Sequence, residues 1–68
     1  MSNLRLGFET NLKIMEKVLS NRTYDKYFLL KIYGNLKVIE YRAFDSEDSE
    51  LAYEIQNVLL DLEKNICD

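Results

Sequence analysis

Histidine, proline and tryptophan are absent from this 68-residue sequence, which has one cysteine and two glycines. Without histidine there is no Ser-His or Cys-His nucleophile pair, and the side chain most used for proton transfer near neutral pH is missing. One cysteine does not make a zinc or iron-sulfur site, and two glycines do not build a phosphate-binding loop. We therefore expect no enzyme activity, catalytic residue, cofactor or metal site.

The acidic stretch that begins at Asp45 has the composition of a cation-binding loop but not its pattern. A calcium loop starting there needs glycine at its sixth position and glutamate at its twelfth, where Glu50 and Gln56 stand. We interpret these acids as groups that cap a helix, keep the protein soluble or contact a partner.

Long apolar runs are also missing, since the longest span three or four residues, far short of the roughly 18 needed to cross a bilayer. No hydrophobic signal segment opens the chain, and Cys67 has no intramolecular partner, so we expect a cytoplasmic protein. The composition, 47% hydrophobic and 31% charged, is that of a chain that folds. At this length, residues 1–68 make one small domain of marginal stability.

Charge is divided unevenly along the chain. Residues 1–44 contain eight Lys and Arg against four Asp and Glu, whereas residues 45–68 contain one against eight. The last third is therefore an acidic block, which is repelled by phosphate and attracts basic partners.

Apolar spacing predicts two amphipathic helices, over about 3–21 and 46–66, with Asp45 or Ser46 as the cap of the second. Gly7 weakens the start of the first helix, and Leu4, Leu6 and Phe8 also alternate as in a short strand that would make Thr10 the cap.

Between these helices, two runs rich in β-branched and aromatic residues, about 25–33 and 36–44, flank Gly34-Asn35. This pattern predicts a β-hairpin with a type II′ turn. The expected fold class is α+β: a small α-β-β-α domain with both helices packed on one face of the antiparallel hairpin. Its inner face then carries Phe28, Leu30, Ile32, Ile39, Tyr41 and Ala43.

An isolated hairpin is weakly stable, so we expect two copies to form a homodimer by joining their hairpins or stacking their outer faces. Tyr27 and Tyr33 lie on that outer face as predicted partner-contact residues. The other predicted contact residues are the acids Glu47, Asp48, Glu50 and Glu54. On the second helix, Tyr53, Leu60 and Cys67 are spaced by seven and form a narrow line opposite the main apolar stripe.

These features favour a non-enzymatic regulator or inhibitor that binds another protein through the acidic helix, the aromatic face or both. The lack of proline and the abundance of Asn, Lys, Ile and Tyr suggest an AT-rich genome, as in phages and mobile elements. Two alternatives remain: a small dimeric nucleic-acid-binding regulator, and an antitoxin or immunity protein that neutralises one toxin. Nucleic acid is the less favoured partner, because the lysines and arginines spread over opposite faces of the predicted elements.

Overall fold

The computed structural model of the chain describes residues 3–21 and 25–67, and these residues form three α-helices. The helices are α1 Asn3–Ser20, α2 Lys26–Asp45 and α3 Ser49–Cys67. α2 and α3 form an antiparallel pair joined by a three-residue turn, and α1 packs mainly on α2. The molecule is elongated, with extents of 37 × 20 × 15 Å.

The predicted β-hairpin, and with it the α+β class, is wrong: the fold is all-helical, and no residue in the described ranges lies in a strand. α2 runs without interruption through Gly34 and Asn35. Its buried residues Leu29, Ile32, Leu36 and Ala43 recur at three, four and seven, the spacing of one helix face. Burial of this face outweighs the roughly 1 kcal/mol that a helix-interior glycine costs.

The residues assigned to the two sides of the hairpin are correspondingly misplaced. Leu30 and Tyr41, expected in the core, are exposed on α2. Leu29 and Leu36, expected on the outer face, are fully buried. Side chains alternate between two faces every two residues in a strand but repeat every 3.6 residues in a helix. Treating α2 as two strands therefore places some buried residues on the exposed side and some exposed residues in the core.

α1 occupies residues 3–20, where a helix over 3–21 was predicted, and the alternative of a short strand before Thr10 is wrong. Thr10 does not cap a helix but donates its hydroxyl to the Leu6 carbonyl oxygen at 2.9 Å. A methyl group at Gly7 would lie 3.4 Å from Cδ1 of Ile39, at the short limit of ordinary van der Waals contact with α2.

α3 begins at Ser49, three residues later than the predicted helix, and its cap is neither Asp45 nor Ser46. Asp45 is the last residue of α2. The carboxylate of Asp48 accepts from the Leu51 backbone N–H at 3.2 Å and so caps α3. Asp25 does the same for α2, accepting from the Tyr27 N–H at 2.9 Å.

One hydrophobic core lies among the three helices, with most of its residues contributed by α2 and α3. Its buried apolar members are Phe8, Met15, Leu29, Ile32, Leu36, Ala43, Leu51, Ala52, Ile55, Leu59 and Leu62. An ion pair between Arg5 Nη2 and Glu54 Oε2, 2.8 Å apart, and a hydrogen bond from Asn35 to Asn11 hold α1 against the other two helices.

Candidate functional site

Exposed acids concentrate where the chain turns from α2 into α3. We call this segment, Asp45, Glu47, Asp48 and Glu50, the acidic turn. Asp45, Glu47 and Glu50 are exposed, and Asp48 is partly buried. α3 as a whole contains Glu50, Glu54, Asp61 and Glu63 against Lys64, a net charge of −3, but Asp61 and Glu63 lie in its second half, away from the turn. At the turn itself the acids lie near Arg42, in the last turn of α2, and Arg5, which pairs with Glu54.

The backbone fixes the position of Glu47. The N–H of Asp48 donates to the Ala43 carbonyl at 2.8 Å, and the N–H of Glu47 donates to the Phe44 carbonyl at 3.1 Å. This pair of bonds is a Schellman motif, which requires a left-handed residue in the Glu47 position and usually takes glycine there. Glu47 has φ 61°, so a strained glutamate stands where glycine fits best.

Two of the four predicted acidic contact residues are already engaged within the fold. Asp48 caps α3, and Glu54 pairs with Arg5 of α1. The hydrogen bond to Glu54 and the charge of Glu54 raise the pKa of Arg5. Glu47 and Glu50 are the two predicted acids whose side chains extend into solvent at the turn.

The structure separates the two predicted tyrosines from the acids. Tyr27, 77% exposed, lies in the first turn of α2, about 27 Å along the helix from Asp45. Tyr33 is half-buried near the middle of α2, and its hydroxyl donates to Glu63 Oε1 of α3 at 3.2 Å. The six predicted contact residues therefore do not form one patch.

Polar and apolar side chains line two hollows between α2 and α3, of about 290 and 200 Å³. Burial raises the pKa of Tyr33, and the hydrogen bond to Glu63 raises it further. Glu40 is 6% exposed and accepts from Lys37 Nζ at 3.4 Å, and its charge raises the pKa of Lys37. Among the described residues, every buried side-chain nitrogen or oxygen atom has a hydrogen-bond partner.

Sequence reasoning missed an apolar stripe on the outward face of α2. It consists of Tyr27, Leu30, Val38 and Tyr41, with Gly34 at its centre. Tyr27 and Leu30 precede Gly34 by seven and four residues, and Val38 and Tyr41 follow it by four and seven. Residues at these spacings lie on one face of a helix. This signal was present in the sequence, but the alternation expected of a strand divided the stripe between two faces.

Within residues 3–21 and 25–67, no group of three or more acids and cysteines is placed to hold a metal ion. In the same ranges, no helix combines the length and the apolar character needed to pass through a bilayer. Arg22, one of the basic residues in the first two thirds of the chain, lies outside the described residues.

Comparisons of the chain with protein-family models, curated proteins and solved structures find no match.

Proposed function

We propose that this chain is a non-enzymatic regulator or inhibitor that binds a basic surface of another protein through the acidic turn. The observation that supports this most directly is Glu47. A left-handed conformation costs a non-glycine residue about 1 kcal/mol or more, and such strain is typical of sites kept for function. Glu47 is exposed, and we infer that this residue is kept at a strained position for a contact made by its carboxylate.

The charge of the surroundings favours a protein partner over nucleic acid at this site. The exposed carboxylates of Asp45, Glu47 and Glu50 repel phosphate and attract lysine and arginine. An acidic end of this kind can occupy a basic surface that another ligand uses, which is how a small inhibitor or toxin-neutralising protein would act. We place this activity in the cytoplasm, because the single cysteine leaves no intramolecular disulfide.

Charge reversal at the acidic turn tests the proposal. The tagged chain is used to capture its partner from extract of the native cell, with nuclease added, and the captured protein is then purified. We expect the double variant Glu47→Lys, Glu50→Lys to associate with this partner at least about tenfold more slowly at low salt, because electrostatic steering is lost. The control Glu9→Lys, Glu16→Lys makes the same charge change on exposed positions of α1.

The outcomes separate the candidate functions. Loss of association in the first variant and not in the second supports the acidic turn as the binding site. Equal association in both variants would remove the acidic turn from the proposal. Capture that is abolished by nuclease would instead favour the nucleic-acid-binding alternative, with steep weakening between about 50 and 200 mM salt.

A further inference from the structure

A second, separate surface joins the outward sides of α2 and α3. The two hollows between these helices share Tyr33 and Glu63, and residues of α2 and α3 line them. Leu30 borders one hollow and Leu60 the other, so the outward apolar side chains of both helices edge the same surface. We call this surface, defined by Leu30, Gly34, Tyr41, Tyr53 and Leu60, the α2–α3 face.

The apolar residues of the two helices on this face are in register. Gly34 and Tyr41 are seven apart on α2, and Tyr53 and Leu60 are seven apart on α3. The bond from Tyr33 to Glu63 fixes the levels of the antiparallel pair, so Gly34 lies at the level of Leu60 within about 3 Å. Tyr41 lies at the level of Tyr53 within the same margin.

We propose that a second copy of this chain covers the α2–α3 face, with α2 of each copy packed on α3 of the other. A two-fold axis parallel to the helices leaves the level of every residue unchanged. It therefore sets the partner's Leu60 against Gly34 and the partner's Tyr53 against Tyr41, and both contacts occur twice. The result is a bundle in which the facing helices are antiparallel.

The glycine at the centre of α2 fits this arrangement. A Cβ atom on Gly34 would have no other atom within 4 Å, so nothing inside the chain requires glycine at this exposed position. In the proposed dimer, the space left by the missing side chain admits the partner's Leu60, a residue that is 58% exposed on α3. The gap and the side chain that fills it lie on the same chain.

Charge selects α3 rather than α2 as the facing helix. α2 has four basic residues against Glu40 and Asp45, a net charge of +2, whereas α3 has −3. Packing α2 on a second α2 would bring like charges together, and packing it on α3 brings opposite charges together.

The exposed area is also consistent with a covered face. A compact monomer of 8.1 kDa has a surface of about 4,500 Å², and this chain exposes 5084 Å². The excess of roughly 600 Å² corresponds to one side of an interface of about 1,200 Å², at the small end of the range for specific complexes.

Sedimentation equilibrium of the full chain from low to high micromolar concentration tests the proposal. We expect the wild-type chain to reach twice its 8.1 kDa mass. Leu60→Glu and Gly34→Gln should each raise the dimer dissociation constant by about tenfold or more, since both alter the packed centre. Leu6→Glu is the matched control, because Leu6 is 64% exposed on α1, away from this face.

Gly34→Gln keeps the test independent of folding, because glutamine is a better helix former than glycine and should not weaken the monomer. Intermolecular NMR contacts between Leu60 methyl groups and the Gly34 α-hydrogens, in a mixture of labelled and unlabelled chains, would support α2 on α3. A wild-type chain that stays monomeric at every concentration overturns the proposal. So does a dimer unaffected by the two variants, or one in which Leu30 contacts the partner's Val38.

Discussion

Gly34 is a helix-interior glycine for which the chain itself shows no packing requirement. Its position is exposed at the middle of α2, and a methyl group there would meet open space. We expect Gly34→Ala to raise the free energy of unfolding by up to about 1 kcal/mol, or the Tm by about 4–8 °C. The measurement is thermal unfolding at low protein concentration, where a dimer is dissociated.

Gly7→Ala is the comparison for this prediction. It removes the same conformational freedom from a helix, but its methyl group would lie 3.4 Å from Cδ1 of Ile39, at the short limit of ordinary van der Waals contact. The gain in stability should be smaller than at Gly34. An equal or larger gain at Gly7 would mean that α1 and α2 are not held at this distance.

Tyr33 makes stability depend on alkaline pH. Burial and the bond to Glu63 raise its pKa above the usual value near 10, so the folded chain retains a proton that the unfolded chain releases first. The stability that this proton contributes is present below about pH 10 and is lost as pH rises through the folded-state pKa.

Tyr33→Phe should therefore reduce the loss of stability above about pH 10, measured by urea unfolding at a series of pH values. Tyr33 and Lys37 each affect the pKa of the other, so the change measured for Tyr33→Phe includes the accompanying change at Lys37. Tyr27→Phe, at an exposed position, is the control and should follow the wild type. Identical alkaline profiles for Tyr33→Phe and wild type would contradict the proposed environment of this phenol.

Among the elements, α2 is the one whose secondary structure is predicted wrongly from the sequence, and the reason is physical. Its composition suits strands, and Gly34-Asn35 suits a hairpin turn, because local preferences act over a few residues. The helix is selected instead by the burial of Leu29, Ile32, Leu36 and Ala43 against the other two helices. That burial depends on where α1 and α3 pack, which local composition does not contain.

The first and last helices are predicted correctly as helices, because their apolar residues recur regularly over five turns and few residues typical of turns interrupt them. The candidate site was less legible for a different reason. Glu47 was identified as an acid, but its left-handed backbone depends on the end of α2, which the hairpin prediction had removed. The α2–α3 face requires two helices side by side, so it does not follow from a sequence in which α2 is predicted to be a hairpin.

Asp48 combines a structural and a charged role at the start of α3, and two substitutions separate them. Asp48→Ala removes the carboxylate that accepts from Leu51 N–H and should cost about 1 kcal/mol of stability. Asp48→Asn retains an accepting oxygen and should cost much less while removing the charge. Chemical denaturation of both variants gives the comparison, and equal losses of stability would show that Asp48 acts through its charge alone.

At the scale of the whole molecule, the direction of the proposed dimer axis determines where the two acidic turns lie relative to each other. A two-fold axis parallel to the helices places both acidic turns at the same end, so the dimer presents two copies of Glu47 and Glu50 to one partner surface. Binding through two linked sites lengthens residence on a surface that displays many copies of the partner, by about a hundredfold or more where both sites engage. An antiparallel pairing of α2 with α2 would place the turns at opposite ends and give no such gain.

Gly34→Gln separates these cases, because it breaks the dimer without changing net charge or the acidic turn. On a biosensor surface with dense immobilised partner, we expect wild-type protein to dissociate far more slowly than this variant. On a sparse surface the two should dissociate at the same rate, since only one acidic turn can engage. If the wild type shows no dependence on density, the acidic turns do not lie at one end, and the axis runs across the helices instead of along them.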